Sequence, residues 1–172
     1  MTCFTSSYST IAFAATAALI LSSLPAEARE GRVRARGENG VAAAGSHNGN
    51  SYVRARGKTT TEDGSTTAAS GGAVRLNNGA AAARGSTTTV NPDGSAAHQG
   101  GFAAAGAKGT IDSSGAAVRN AHGTGSGSRT TNATGTTGNS YQGTTTYDTA
   151  TGVTRQATCR DASGVEITCP TR

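Results

Sequence analysis

The sequence predicts a mostly β chain of irregular hairpin repeats, partly disordered, that begins with a signal helix and ends in a small three-stranded meander. Three observations carry this expectation. Small residues dominate: Gly, Ala, Thr and Ser fill 86 of the 144 positions after Ala28. Large apolar side chains are scarce, since Val, Ile, Leu, Phe and Tyr together supply 15 of those positions and Trp none. Short β-branched runs recur beside Asp-Gly and Asn-Gly pairs, the pattern of strands joined by tight turns. Burying one large apolar side chain yields roughly 1.5 to 3 kcal/mol, so this complement cannot offset the ordering entropy of a conventional globular core. Thin β units, hydrogen-bonded through their backbones and stacked on neighbours, are the form left to such a chain.

Residues 1–28 read as a removable signal peptide. Ile11 to Leu24 is a nearly unbroken apolar and small-residue run, and Pro25-Ala26-Glu27-Ala28 supplies an Ala-x-Ala cleavage site. The run is short for a bilayer and nothing later is more apolar, so no permanent membrane span is expected. Export implies a periplasmic or extracellular location. In that oxidising setting Cys159 and Cys169, the two cysteines left once Cys3 departs, are expected to pair.

Residues 29–122 read as a low-complexity hairpin-repeat region. VRARG at 33–37 recurs at 53–57, and RGKTTTEDGSTTAASGG at 56–72 is echoed by RGSTTTVNPDGSAAHQGG at 84–101. A weaker copy runs from Lys108 to Gly115. In the two longer copies a Thr triplet favours pleated backbone, and in the second Asn91-Pro92-Asp93-Gly94 reverses it, Pro presetting one dihedral and Gly accepting positive φ. Glu38-Asn39-Gly40, Glu62-Asp63-Gly64 and Asn77-Asn78-Gly79 mark parallel reversals. The Ala runs at 42–44, 80–83 and 103–105 are too short to nucleate helices and read as strand or coil. The copies are unevenly spaced, which argues against a strict solenoid.

Residues 123–139, rich in Gly, Ser and Thr, are expected to be a flexible linker. Residues 140–172 then form a disulfide-stapled β module, with strands over Ser140 to Tyr147, Val153 to Cys159 and Val165 to Cys169. The two cysteines are an even number of positions apart, which on paired strands puts both side chains on one face.

Candidate chemistry is sparse. Arg32, Arg34 and Arg36 alternate with Val33 and Ala35, and Arg54 and Arg56 flank Ala55, so in extended backbone each set projects from one strand face. Such a stripe suits the phosphate or carboxylate groups of an anionic polysaccharide, a lipopolysaccharide or a nucleic acid. The bland alternative is a solvated edge that blocks strand aggregation. Scarcity of interleaved aromatics favours that alternative over a nucleic-acid platform. His47, His98 and His122 have no partner at metal-ligand spacing. Ala107 separates Gly106 from Lys108, which spoils a phosphate-binding loop, and no Gly-x-Ser-x-Gly elbow is present. No metal, cofactor or catalytic residue is expected.

The signal, the Asp-Gly-Ser hairpins and the tail YQGTTTYDTATGVTRQATCRDASGVEITCP together resemble small uncharacterised exported Gly/Thr/Ala-rich repeat proteins of Gram-negative bacteria. That resemblance implies export and supplies no catalytic residues. The functional expectation is a non-enzymatic structural protein of the cell envelope or extracellular matrix, with self-association through β edges. The alternative is a basic module that binds an anionic envelope polymer. An ice-binding or fibre-forming Thr surface ranks behind both, because the triplets at Thr59, Thr87 and Thr144 are unevenly spaced.

Overall fold

A computed structural model describes residues 31–169, and the signal segment lies outside the described residues. Eleven strands follow one another: β1 Gly31–Gly37, β2 Gly40–His47, β3 Asn50–Thr60, β4 Thr66–Arg75, β5 Ala81–Val90, β6 Ala96–Gly106, β7 Gly109–Arg119, β8 Gly125–Gly135, β9 Ser140–Asp148, β10 Gly152–Arg160 and β11 Glu166–Ile167. They form one antiparallel sheet whose spatial order is the chain order. Every extended contact joins strands that are consecutive in sequence.

Turn chemistry produces this regularity. From the β2–β3 turn onward, each reversal contains one glycine at positive φ: Gly49, Gly64, Gly79, Gly94, Gly109, Gly123, Gly138, Gly152 and Gly164. The first five stand at fifteen-residue intervals and the rest at twelve to fifteen, so the repeating unit is one strand plus one turn. The copies legible in the sequence do not keep that phase: the VRARG segments are 20 positions apart, across two two-residue turns, and the Thr triplets at 59 and 87 are 28 apart. Six of the turns share one hydrogen-bond pattern. In the β3–β4 turn the Gly64 amide donates to the Thr61 carbonyl at 2.9 Å, while the Thr61 amide donates to the Ser65 carbonyl at 2.9 Å. This is a type I turn followed by a left-handed residue, a geometry that matches the right-handed twist of the flanking strands. Side chains reinforce it: the Asp63, Asn78 and Asp93 oxygens accept the amides of Ser65, Ala80 and Ser95 at 3.1, 3.0 and 2.8 Å.

Three expectations are corrected here. Residues 123–139 are not a linker, because Gly125–Gly135 forms β8, hydrogen-bonded to β7 on one side and β9 on the other. The described chain is not partly disordered: strands and short turns follow one another from Gly31 to Ile167. Nor does the C-terminal segment stand apart, since its expected strands are β9, β10 and a two-residue β11 at the end of the same sheet. The physical reason is shared. Ladder hydrogen bonds are made by backbone groups, so a Gly/Ser/Thr-rich strand that can fill no core still pairs fully when both neighbours are in register. The Ala runs join in the same way, at 42–44 in β2, 81–83 in β5 and 103–105 in β6.

Among the described residues no second layer covers the sheet, and the buried positions are Ala43, Ser113, Gly143 and Cys159. Directly paired residues of an antiparallel sheet point to the same face, so each face can be read by following the register across the strands. One such row runs Arg34, Ala43, Arg54, Gly72, Arg84, Phe102, Ser113, Thr131, Gly143, Ala157. All four buried residues lie on this face, low between larger neighbours. The opposite face is made of small residues. Its central row runs Val33, Ala44, Val53, Ala73, Ala83, Ala103 and then turns polar at β7 with Asp112, Asn132, Gln142 and Thr158. Cross-strand hydrogen bonds take the place of a core there. Asn132 Nδ2 donates to Asp112 Oδ2 at 3.0 Å, Gln142 Nε2 donates to Asn132 Oδ1 at 3.2 Å, and the Thr67 and Thr89 hydroxyls meet at 2.9 Å.

Candidate polyanion-binding face

The register turns separate stripes into a two-dimensional array. Arg32, Arg34 and Arg36 on β1 and Arg54 and Arg56 on β3 all point to the face that buries Ala43. Two rows cross directly, Arg34 to Ala43 to Arg54 and Arg36 to Val41 to Arg56, so a small or apolar residue of β2 stands between each pair of guanidinium groups. The same rows continue to arginines that sequence inspection missed: Arg84 on β5 in the first, Arg129 on β8 and Arg155 on β10 in the second. Lys58 and Arg119 share the face. Lys58 extends the alternation of the second VRARG segment, whereas Arg84, Arg119, Arg129 and Arg155 each stand alone in sequence. Counting from the turn glycines would have found one, since Arg84 follows Gly79 by the same five positions that Arg54 follows Gly49.

No strand residue on this face is acidic among the described residues. Glu38, Glu62, Asp63, Asp93 and Asp161 sit in turns, and Asp112, Asp148 and Glu166 point to the small-residue face. All the aromatic side chains of the described residues, Tyr52, Phe102, Tyr141 and Tyr147, also point to the basic face. The few aromatics of the described residues therefore all lie on the face that carries the arginines, though widely spaced across it. Phe102 is held in place from its neighbours. The Arg129 guanidinium lies over its ring, 5.8 Å from the centroid, and Arg129 Nε donates to the buried Ser113 Oγ at 2.8 Å.

A shallow groove of 310 Å³ opens where the arginines converge, lined by Arg34, Arg54, Arg56 and Arg84 over Val41, Ala43 and Ser70. Edge protection accounts for part of this arrangement only. β1 is an edge strand, so Arg32, Arg34 and Arg36 do guard it, but β3 and β5 are interior and their arginines guard no edge.

The remaining candidates fall elsewhere. Cys159 and Cys169 form a disulfide, with Cα atoms 5.2 Å apart, that ties the chain after β11 back to β10. His47 ends β2, His98 lies in β6 with Nδ1 2.8 Å from the Thr88 hydroxyl, and His122 is in the β7–β8 turn. Among the described residues no three His, Cys, Asp or Glu side chains gather to hold a metal ion. Three turn carboxyls are held below the usual aspartate value: Asp63 by the Thr61 hydroxyl and then the Ser65 amide and hydroxyl, Asp93 by the Ser95 hydroxyl and amide, and Asp161 by the Ser163 hydroxyl and the Val165 amide. Among the described residues no helix is long and apolar enough to cross a membrane. No family model, curated protein or solved structure matches the chain.

Proposed function

We propose that this is an exported, non-enzymatic protein of the cell envelope or extracellular matrix whose basic face lies against an anionic polymer. One observation carries the reading: arginines from β1, β3 and β5 meet on one face without a strand carboxylate among them. Guanidinium groups spread over an open sheet suit an extended, many-charged partner, because each makes a charge-assisted hydrogen bond to a separate anionic group. A small molecule would instead call for a concave, mostly apolar site. Export is supported by the apolar run and Ala-x-Ala site before Arg29 and by the disulfide, which persists in oxidising compartments. A polymer laid on the sheet would also cover a face that has almost no buried side chains among the described residues.

The test is retention on an immobilised polyanion. Replacing Arg32, Arg34, Arg36, Arg54 and Arg56 together with Gln is expected to move elution to much lower salt, because counterion release scales with the number of anionic groups neutralised. Unchanged retention would leave these arginines as solvating side chains and the protein as a purely structural sheet.

A further inference from the structure

The basic face carries information about its ligand beyond the sign of the charge. Neighbouring strands lie about 4.8 Å apart, so Arg34, Arg54 and Arg84, on alternate strands of one row, repeat at roughly 9.6 Å. Between them the row drops to Ala43, 4% exposed, and to Gly72. A Cβ at Gly72 would meet the Val53 carbonyl oxygen at 2.8 Å and the Arg54 Cβ at 3.3 Å, so a side chain there is resisted by backbone. The row therefore reads charge, gap, charge, gap, charge, and the next residue along it is Phe102, 39% exposed with its ring braced by Arg129.

A nucleic acid fits this spacing poorly. Each strand of a duplex carries a phosphate about every 3.4 Å of helix axis, nearly three per arginine interval. Aromatic residues on the face, Tyr52 on β3, Phe102 on β6 and Tyr141 on β9, stand three strands apart, roughly 14 Å, too far to stack successive bases. An interval of two strands is instead about the length of two linked hexoses. Resting on the polyanion reading above, we infer that the ligand is an acidic polysaccharide bearing one anionic group per disaccharide, laid across β1 to β6 perpendicular to the strands. Its charged sugars meet Arg34, Arg54 and Arg84, its neutral sugars pass over Ala43 and Gly72, and a sugar ring beyond Arg84 packs its C–H face on Phe102.

The experiment compares the folded protein on four polymers by salt elution: hyaluronan, with a carboxylate on alternate sugars; polygalacturonate, with one on every sugar; single-stranded oligo(dT); and neutral dextran. Hyaluronan is expected to hold to the highest salt despite its lower charge density, and dextran not to be held. Replacing Arg34, Arg54 and Arg84 with Gln is expected to weaken hyaluronan by about tenfold, as three exposed charge pairs would, and to erase its lead over polygalacturonate. Arg75→Gln, on the opposite face, should bind as the parent does. Retention that simply follows charge density, or oligo(dT) holding tightest, overturns the spacing rule while leaving a polyanion-binding face. A triple variant that binds like the parent overturns the assigned row. If none of the charged polymers is retained, both this inference and the function it rests on fall.

Discussion

Removing the Cys159–Cys169 disulfide should damage one end of the sheet and spare the rest. The bond spans ten positions, and closing a loop of that size removes conformational freedom from the unfolded segment worth about 2.7 kcal/mol. What it protects is small. β11 pairs with β10 at only two positions, Cys159 with Ile167 and Arg160 with Glu166, and the turn between them adds the Asp161 amide to the Val165 carbonyl at 2.9 Å and the Gly164 amide to the Asp161 carbonyl at 3.0 Å. Each strand touches only its neighbours in sequence, so the loss has no direct route to β1 through β8. In a Cys159→Ser/Cys169→Ser variant, native-state hydrogen exchange at the Asp161 and Gly164 amides should accelerate by about 100-fold, which is what 2.7 kcal/mol amounts to. Amides in the β4–β5 and β6–β7 ladders should change by less than about threefold. A uniform loss of protection along the chain would refute the reasoning, because it would show that the sheet opens as one cooperative unit. Unchanged exchange at Asp161 and Gly164 would show that the two-residue strand holds without the bond.

Three further outcomes are expected. Asp63, Asp93 and Asp161 titrate below the ordinary value of 3.8 when folded, so the support they give the turns is present above that pH and is lost as pH falls through the lowered values. Melting should therefore be flat near pH 6 and fall in strong acid, with the fall reduced in the triple Asn variant; a melting temperature insensitive to acid contradicts the turn assignment. Gly109→Ala should cost about 3 kcal/mol or more, because at φ 127° its Cβ would overlap the Thr134 carbonyl oxygen, whereas Gly79→Ala, at φ 85° in open space, should cost about 1 kcal/mol, and equal losses in thermal melts would argue against the close β7–β8 approach. Protein recovered after export should begin at Arg29 by intact mass, and a species that keeps Ile11 to Leu24 would count against the cleavage site.

Local chemistry was legible in the sequence, and long-range register was not. Asn91-Pro92-Asp93-Gly94 announces its own turn because the dihedral preferences sit in those four residues. The alternation in VRARG likewise places its arginines on one side of a strand without any knowledge of the partner. Whether the two VRARG segments share a face depends on the turns at 38–39 and 48–49 both returning the chain without a slip, and a one-residue slip would have sent them to opposite faces. Residues 123–139 were misread for a related reason: Gly, Ser and Thr are the composition of a linker when alone and of a strand when two neighbours offer their backbones. The aromatic residues of the basic face were invisible as a group, since Tyr52, Phe102 and Tyr141 are brought together by a ladder that crosses seven strands.

The nearest-neighbour construction also makes chain length a free variable. Excising Thr66 to Ser95, thirty residues comprising two strands and their turns, would join the turn at Ser65 directly to Ala96. Thr60 would then oppose Ala96, and six positions along Arg54 would oppose Phe102, the face to which both already point. Parity survives because two strand-plus-turn units restore both the chain direction and the pleat. Removing or adding two units at a time would therefore leave every remaining side chain on its side of the sheet, so the width of the basic face could change without redesigning a core.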